Sequence, residues 1–194
     1  MPKSKNHVIL YEEKVGSTND FLKAMLKEGY VGDPVFLIAG EQTQGRGQFE
    51  RMWLSKENKG LYLSYLFFPE RHYVETITKE TAILLVELLK QYQVDAHIKI
   101  PNDILVGNRK IAGILTESLF RGEICLGVVV GIGLNLFYER RELEEEGILG
   151  TSLAEETGMT IDHNSITQDL IEVLLKLNMK KTEDIEKEFD GYKV

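Results

Sequence analysis

Between Ala96 and Leu136 the chain offers short apolar segments separated only by turn residues, and that punctuation constrains the fold more than anything else in it. Ala96 to Ile100 leads into Pro101. Ile104-Leu105-Val106 is followed by Gly107-Asn108, a two-residue loop compatible with a primed hairpin turn, and Lys110 to Leu119 and Ile124 to Leu136 flank a second hairpin at Arg121-Gly122. Primed two-residue turns match the twist of paired antiparallel strands, so this part of the chain predicts antiparallel sheet.

Upstream, strands alternate with helices. His7 to Glu12 reads as a strand, and Gly16-Ser17-Thr18-Asn19 opens a helix through Glu28, with Ser or Thr as N-cap and Gly29 as the stop. Pro34 to Gly40 is a buried strand, and Leu61 to Phe68 alternates as another. Thr76 to Tyr92 carries Ile77, Ala82, Ile83, Leu84, Val86, Leu88 and Leu89 at helical spacing and predicts a central helix. Beyond Phe137 the chain turns acidic and helical. Ile166 to Leu177 is its clearest amphipathic stretch, and the polar end from Thr182 to Val194 is expected to fray. No Pro/Ser-rich linker appears. The expectation is one α+β domain over 1–194, a mixed, mostly antiparallel sheet backed by helices.

Composition bounds the function. With 194 residues, 43% of them apolar, the chain can build a real core. A net charge of -8 argues against non-specific nucleic-acid binding, which needs clustered Lys and Arg. No apolar run reaches membrane-spanning length, and Met1 to Asn6 is a short basic lead without a signal-peptide core, so a cytoplasmic location is expected. Cys125, the single cysteine, sits among Ile124, Leu126 and Val128 and reads as core filler. His7, His72, His97 and His163 are too scattered to place two ligands on one helix face and are assigned no chemistry.

The chemistry concentrates elsewhere. Gly40 to Trp53 joins two close-approach glycines, Gly45 and Gly47, to Arg46, Arg51 and the only Trp, a composition suited to wrapping a phosphate and stacking on a base, although ordinary Gly/Arg surface turns are common. Lys99-Ile100-Pro101-Asn102-Asp103 ends a strand and presents an amide and a carboxylate; it reads equally as a plain turn. Arg109 to Leu115 and Gly127 to Asn135 each place glycine inside a strand, where it marks either a close approach or a bulge.

Taken together, Gly16-Ser17-Thr18-Asn19, Glu41-Gln42-Thr43 through Trp53, Lys99 to Asp103, Arg109 to Leu115 and Gly131 to Asn135 make the chain resemble the biotin protein ligases, over nearly its full length and in the same order. The resemblance implies a fold related to the class II aminoacyl-tRNA synthetase catalytic domain. It implies ATP-dependent formation of biotinyl-5′-adenylate with magnesium, then transfer of biotin to a lysine of a biotin carboxyl carrier protein, such as a subunit of acetyl-CoA carboxylase or of another biotin-dependent carboxylase. Ser17, Thr18 and Gln42 would contact the ureido ring, with Asn19, Gly45 and Arg46 also at the biotin site. Gly113, Ile114, Leu115, Gly131, Ile132 and Gly133 would wall the rings. Arg46, Gly47, Gln48 and Arg51 would lie at the phosphate, Trp53 beside the adenine, and Asn102 and Asn135 near the nucleotide. Lys110 would touch both the biotin carboxylate and the α-phosphate, with Arg46 assisting and Asp103 orienting or deprotonating the acceptor amine. No metal ligand is assigned.

The sequence departs from the common family pattern. Gln48 and Glu50 stand where many members have Arg and Gly, and Ile100 replaces a common Trp. The chain shows no N-terminal helix-turn-helix extension and stops where many relatives add a small C-terminal β-domain, so repressor activity is not expected. Two alternatives remain beside the ligase: a biotin-binding protein with weakened turnover, and a lipoate-type ligase, for which no Gly-Gly-Gly loop followed by His is present. The family includes monomers and dimers, which leaves a homodimer through an edge strand open.

Overall fold

A computed structural model describes residues 6–48, 51–69, 76–177 and 180–193. The positions read above at Met1 to Lys5, Phe49, Glu50, His72 and Val194 lie outside these residues.

Seven strands form one sheet in the order β1-β2-β3-β7-β6-β5-β4. They are β1 (Val8–Val15), β2 (Val35–Gln42), β3 (Gly60–Phe67), β4 (Ala96–Lys99), β5 (Asp103–Val106), β6 (Arg109–Arg121) and β7 (Ile124–Asn135). Only β1 and β2 run parallel, joined through helix α1 (Thr18–Lys27); every other neighbour is antiparallel. Helices α2 (Ile77–Gln91), α3 (Arg140–Glu145), α4 (Leu153–Thr157), α5 (His163–Leu174) and α6 (Thr182–Tyr192) complete the fold.

Both hairpins form where the turn residues place them. Val106 pairs with Arg109 across Gly107-Asn108, and Gly107 has φ +58°, which suits the first central position of a primed turn. The second turn is Gly122-Glu123 rather than Arg121-Gly122, because Arg121 is still paired, with Ile124, and Gly122 carries φ +62°.

The sheet is covered on both faces. Leu22 and Leu26 of α1 pack with Val35, Leu37, Leu66 and Val129 on one face, each buried leucine contributing about 1.5–3 kcal/mol relative to exposure. On the other, α2, α5 and α6 enclose the larger core with Leu61, Leu63, Val128, Val130, Ile132 and Leu134. The strand expected to alternate over Leu61 to Phe68 is β3, and it is covered on both faces, all eight of its residues being buried. The C-terminal segment is also corrected: it forms α6, with Ile185 and Phe189 buried one helical turn apart and Lys79 of α2 held by Glu186 at 2.5 Å. Cys125 is half-buried at the start of β7, at the edge of the core rather than within it.

Candidate active site

A cavity opens on the α1 face of the sheet, between the start of α1, the end of β2, residues 46–48 and 51–53, and the floor formed by β6 and β7. Along β7 the even-numbered Val128, Val130, Ile132 and Leu134 enter the main core, and the odd-numbered positions turn to the α1 face. The glycines there are not bulges, since the β6–β7 register stays regular from Ala112 to Leu119. They leave room for side chains. A Cβ on Gly131 would overlap the Asn19 amide, one on Gly133 would overlap the Trp53 indole, and one on Gly113 would lie 3.0 Å from that indole and 3.1 Å from Lys110 Cε. Gly113 and Gly133 are cross-strand partners, so together they form the seat on which Trp53 rests.

Residues 45–48 and 51–53 fold back against one another and together form a small flap. Trp53 N–H donates to Gly45 O at 2.9 Å, Gly47 N–H donates to Arg51 O at 2.7 Å, and Arg46 bridges to Met52. Arg46 pairs with Asp20 of α1 and lies 3.8 Å from Glu117 of β6. Glu117 also holds Lys23 at 2.6 Å and accepts from Asn19 Nδ2 at 2.8 Å, which ties flap, helix and sheet into one charged cluster. Burial opposes the charge on Lys23, but its hydrogen bonds to Glu117 and Asp20 outweigh this and hold its pKa above the ordinary lysine value. Two donors of the flap, Arg46 Nε and Trp53 Nε1, are buried without a hydrogen-bond partner, and such donors favour an acceptor-rich ligand.

Lys110 owes its aim to an irregularity. Ile104 pairs with Ala112 but Leu105 pairs with Lys110, so Ile111 is an extra residue in β6. Ile111 and Ala112 consequently both enter the core, and Lys110 turns to the cavity. Its ammonium lies 2.6 Å from Asp103 Oδ1 and 4.9 Å from the Trp53 ring centroid, a cation over an aromatic face. Its backbone is fixed by Leu149 O and Thr151 N, both at 3.0 Å.

Most expected site residues converge here. Ser17, Thr18, Asn19, Gln42, Arg46, Gly47, Gln48, Arg51, Trp53, Asn102, Asp103, Lys110, Gly113, Ile114, Leu115, Gly131, Ile132 and Gly133 all border the cavity. Ile114 and Ile132 do so with side chains committed to the core. Gly45 sits behind the wall, where a Cβ would meet Ser55 Oγ and Trp53 O at 2.7 Å. Asn135 does not border it: its amide, expected near the nucleotide, donates to Thr151 O at 3.0 Å and Lys110 O at 3.4 Å. Asn102 likewise spends its amide on Ile114 O at 2.7 Å. Trp53, expected beside an adenine, lies against the Gly113–Gly133 floor. Asp20, Lys23, Glu117 and Ser64 were not singled out from sequence. A serine inside the apolar run Leu61 to Phe67, and a glutamate in the middle of β6, were the available signals.

Residues 11–135, which contain every residue lining this cavity, match the Biotin/lipoate A/B protein ligase family. The chain belongs to that family. Among curated members, the bifunctional ligase/repressor BirA of Escherichia coli is 32% identical over 165 residues, covering 82% of this chain and 50% of the relative. BirA of Bacillus subtilis is 28% identical over 167 residues, covering 84% and 51%. The chain thus spans about half the length of the curated relatives it matches. A biotin protein ligase from Aquifex aeolicus, solved in complex with biotin and ATP, is 28% identical with a TM-score of 0.71, covering 96% of this chain and 78% of that one. The Leishmania major enzyme in complex with biotinyl-5-AMP, at 21% identity and TM-score 0.77, shares the fold. The architecture is the biotin ligase catalytic fold. No helix among the described residues is long and apolar enough to cross a membrane, and no group of three or more His, Cys, Asp or Glu there is placed to hold a metal ion.

Proposed function

We propose that this family member is a biotin protein ligase, which activates biotin with ATP and transfers it to a carrier lysine. The observation that carries the reading is Lys110, turned into a glycine-floored cavity beneath a flap with two unpartnered donors. In the first step a biotin carboxylate oxygen attacks the α-phosphorus of ATP. The bond from that phosphorus to the bridging oxygen breaks, and pyrophosphate leaves. Two anions must meet, and unit charges ~4 Å apart interact by about 4 kcal/mol at an effective dielectric near 20. The Lys110 ammonium offsets that repulsion, and the Arg46 and Trp53 donors supply hydrogen bonds to the phosphate and acyl oxygens. Magnesium enters as part of the nucleotide substrate.

In the second step a deprotonated lysine of a biotin carboxyl carrier protein attacks the acyl carbon, and AMP leaves with the bonding pair. An ammonium has no free pair, so a base must take its proton; Asp103, which borders the cavity with its carboxylate 2.6 Å from the Lys110 ammonium, takes that role. Ser17, Thr18 and Gln42 face the ureido ring, whose fixed donors and acceptor suit a hydrogen-bonding wall.

Incubation of the full chain with MgATP and either biotin or lipoate, reading ligand-dependent pyrophosphate release and then label transfer to a carrier domain, tests the reading. Biotin-dependent release with transfer is expected. Release with lipoate alone moves the chain to the lipoate branch, and biotin binding without release leaves a binding protein.

A further inference from the structure

Two cations that border the cavity are already paired, Lys110 with Asp103 and Arg46 with Asp20. Lys99 also borders it, is exposed, and has no hydrogen-bond or ion-pair partner among the described residues. It ends β4, the edge strand, and pairs across the sheet with Asp103, which pairs in turn with Gly113. Directly opposed residues project to the same face, so Lys99 stands on the cavity side, two strand spacings or about 10 Å from Gly113. Among the described residues of β4, β5 and the turn between them, it is the only cation at the cavity. Three stations therefore follow one another across the strands: the wall of Ser17, Thr18 and Gln42 at the start of α1 and the end of β2, Lys110 on β6, and Lys99 on β4.

We infer that Lys99 receives the leaving pyrophosphate. With the ureido ring at the first station and the carboxylate at the second, the attacking oxygen reaches the α-phosphorus from the β2 side. Phosphoryl transfer holds attacking and leaving oxygens roughly in line, so the leaving group departs on the far side of the phosphorus, toward β4. As the bond from that phosphorus to the bridging oxygen breaks, its electron pair stays with pyrophosphate, which gains a negative charge. The Lys99 ammonium offsets that charge and contacts the β- and γ-phosphates of ATP beforehand. Its place at the open edge of the sheet leaves the product a way out to solvent. The inference rests on the reading of the cavity as a biotin-activating site, and it adds a contact to the leaving group rather than to the adenylate.

The test runs the first step in both directions with the wild-type chain, Lys99→Ala, Lys99→Gln and Lys99→Arg, with melting curves as a folding check. Four quantities are measured: half-saturation by MgATP in biotin-dependent pyrophosphate release, half-saturation by pyrophosphate in ATP synthesis from preformed biotinyl-adenylate, biotin affinity, and biotin transfer from preformed adenylate to a carrier domain. Both neutral variants should raise the two half-saturations by about tenfold, the low end for a lost charge-assisted hydrogen bond because the ammonium is exposed. Biotin affinity and transfer should stay at their wild-type values, and Lys99→Arg should restore the half-saturations. A wild-type half-saturation by pyrophosphate in folded Lys99→Ala and Lys99→Gln overturns the inference with the biotin reading intact. An equal loss in the transfer step also overturns it, and places the lysine on the adenylate or the carrier. A wild-type chain that releases no pyrophosphate with biotin overturns both.

Discussion

Lys110 reaches the cavity because β6 carries one residue too many opposite Leu105, a detail of register rather than of composition. If its charge is what lets carboxylate and phosphate approach, Lys110→Ala should lower biotin-dependent pyrophosphate release by about 10²–10³-fold, while biotin affinity changes far less. Release near the wild-type rate in a folded variant would falsify that role. Gln48 tests the opposite direction, since it borders the cavity with a neutral amide where many family members carry arginine. Gln48→Arg is expected to slow dissociation of preformed biotinyl-adenylate by about 10- to 100-fold through a charge-assisted hydrogen bond. An unchanged dissociation rate would mean that position 48 points away from the phosphate. The glycines at 113, 131 and 133 were legible as a signal, but their purpose was not. Only the packed side chains show that Trp53 and Asn19 need the space.

The flap and α1 work as a pair. Arg46 leans on Asp20, and Glu117 gathers Asn19 and Lys23 beneath it, so carboxylates hold the arginine before any phosphate does. Partly exposed ion pairs contribute about 0.2–1 kcal/mol, so Asp20→Asn should speed amide exchange at Gly47 and Trp53 by no more than about fivefold without ligand. Biotin with ATP should slow both amides in either protein. Exchange unaffected by both the substitution and the ligands would show that the flap closes for other reasons. Helix boundaries followed local signals closely: Ser17 caps α1 by accepting from Asp20 N–H, and Gly29 takes φ +93° just beyond it. The local signals failed for α6, where two apolar residues in a polar stretch look solvent-exposed until α2 is placed beside them.

Across the whole molecule, β3 is the strand most dependent on remaining dry. Burial pushes the Tyr65 phenol up to about 12, and burial with a hydrogen bond to Tyr138 raises Tyr62 further. A phenol whose folded pKa lies above its unfolded value of about 10 stays neutral in the native state. The stability it contributes is therefore complete below about pH 10 and is lost as pH rises through the folded value. Alkaline unfolding should begin above about pH 10, with the phenolate absorbance of these tyrosines appearing together with loss of near-ultraviolet dichroism. Phenolate formation in full while the native dichroism persists would show that these rings are wet.

The sequence by itself determined the order of elements and the antiparallel hairpins, because turn chemistry and caps act over a few residues, whereas the clustering of Ser17, Gln42, Arg46, Asp103 and Lys110 was implied only by the resemblance to the biotin protein ligases. Tertiary structure decided which face each residue meets. The bulge at Ile111 aimed Lys110, the pairing of β6 with β7 placed Gly113 opposite Gly133 beneath the indole, and burial of Asn135 and Asn102 spent their amides on backbone carbonyls. Those outcomes depend on contacts between segments far apart in the chain. A polar group keeps its hydrogen bond for a ligand only where no such neighbour has already claimed it.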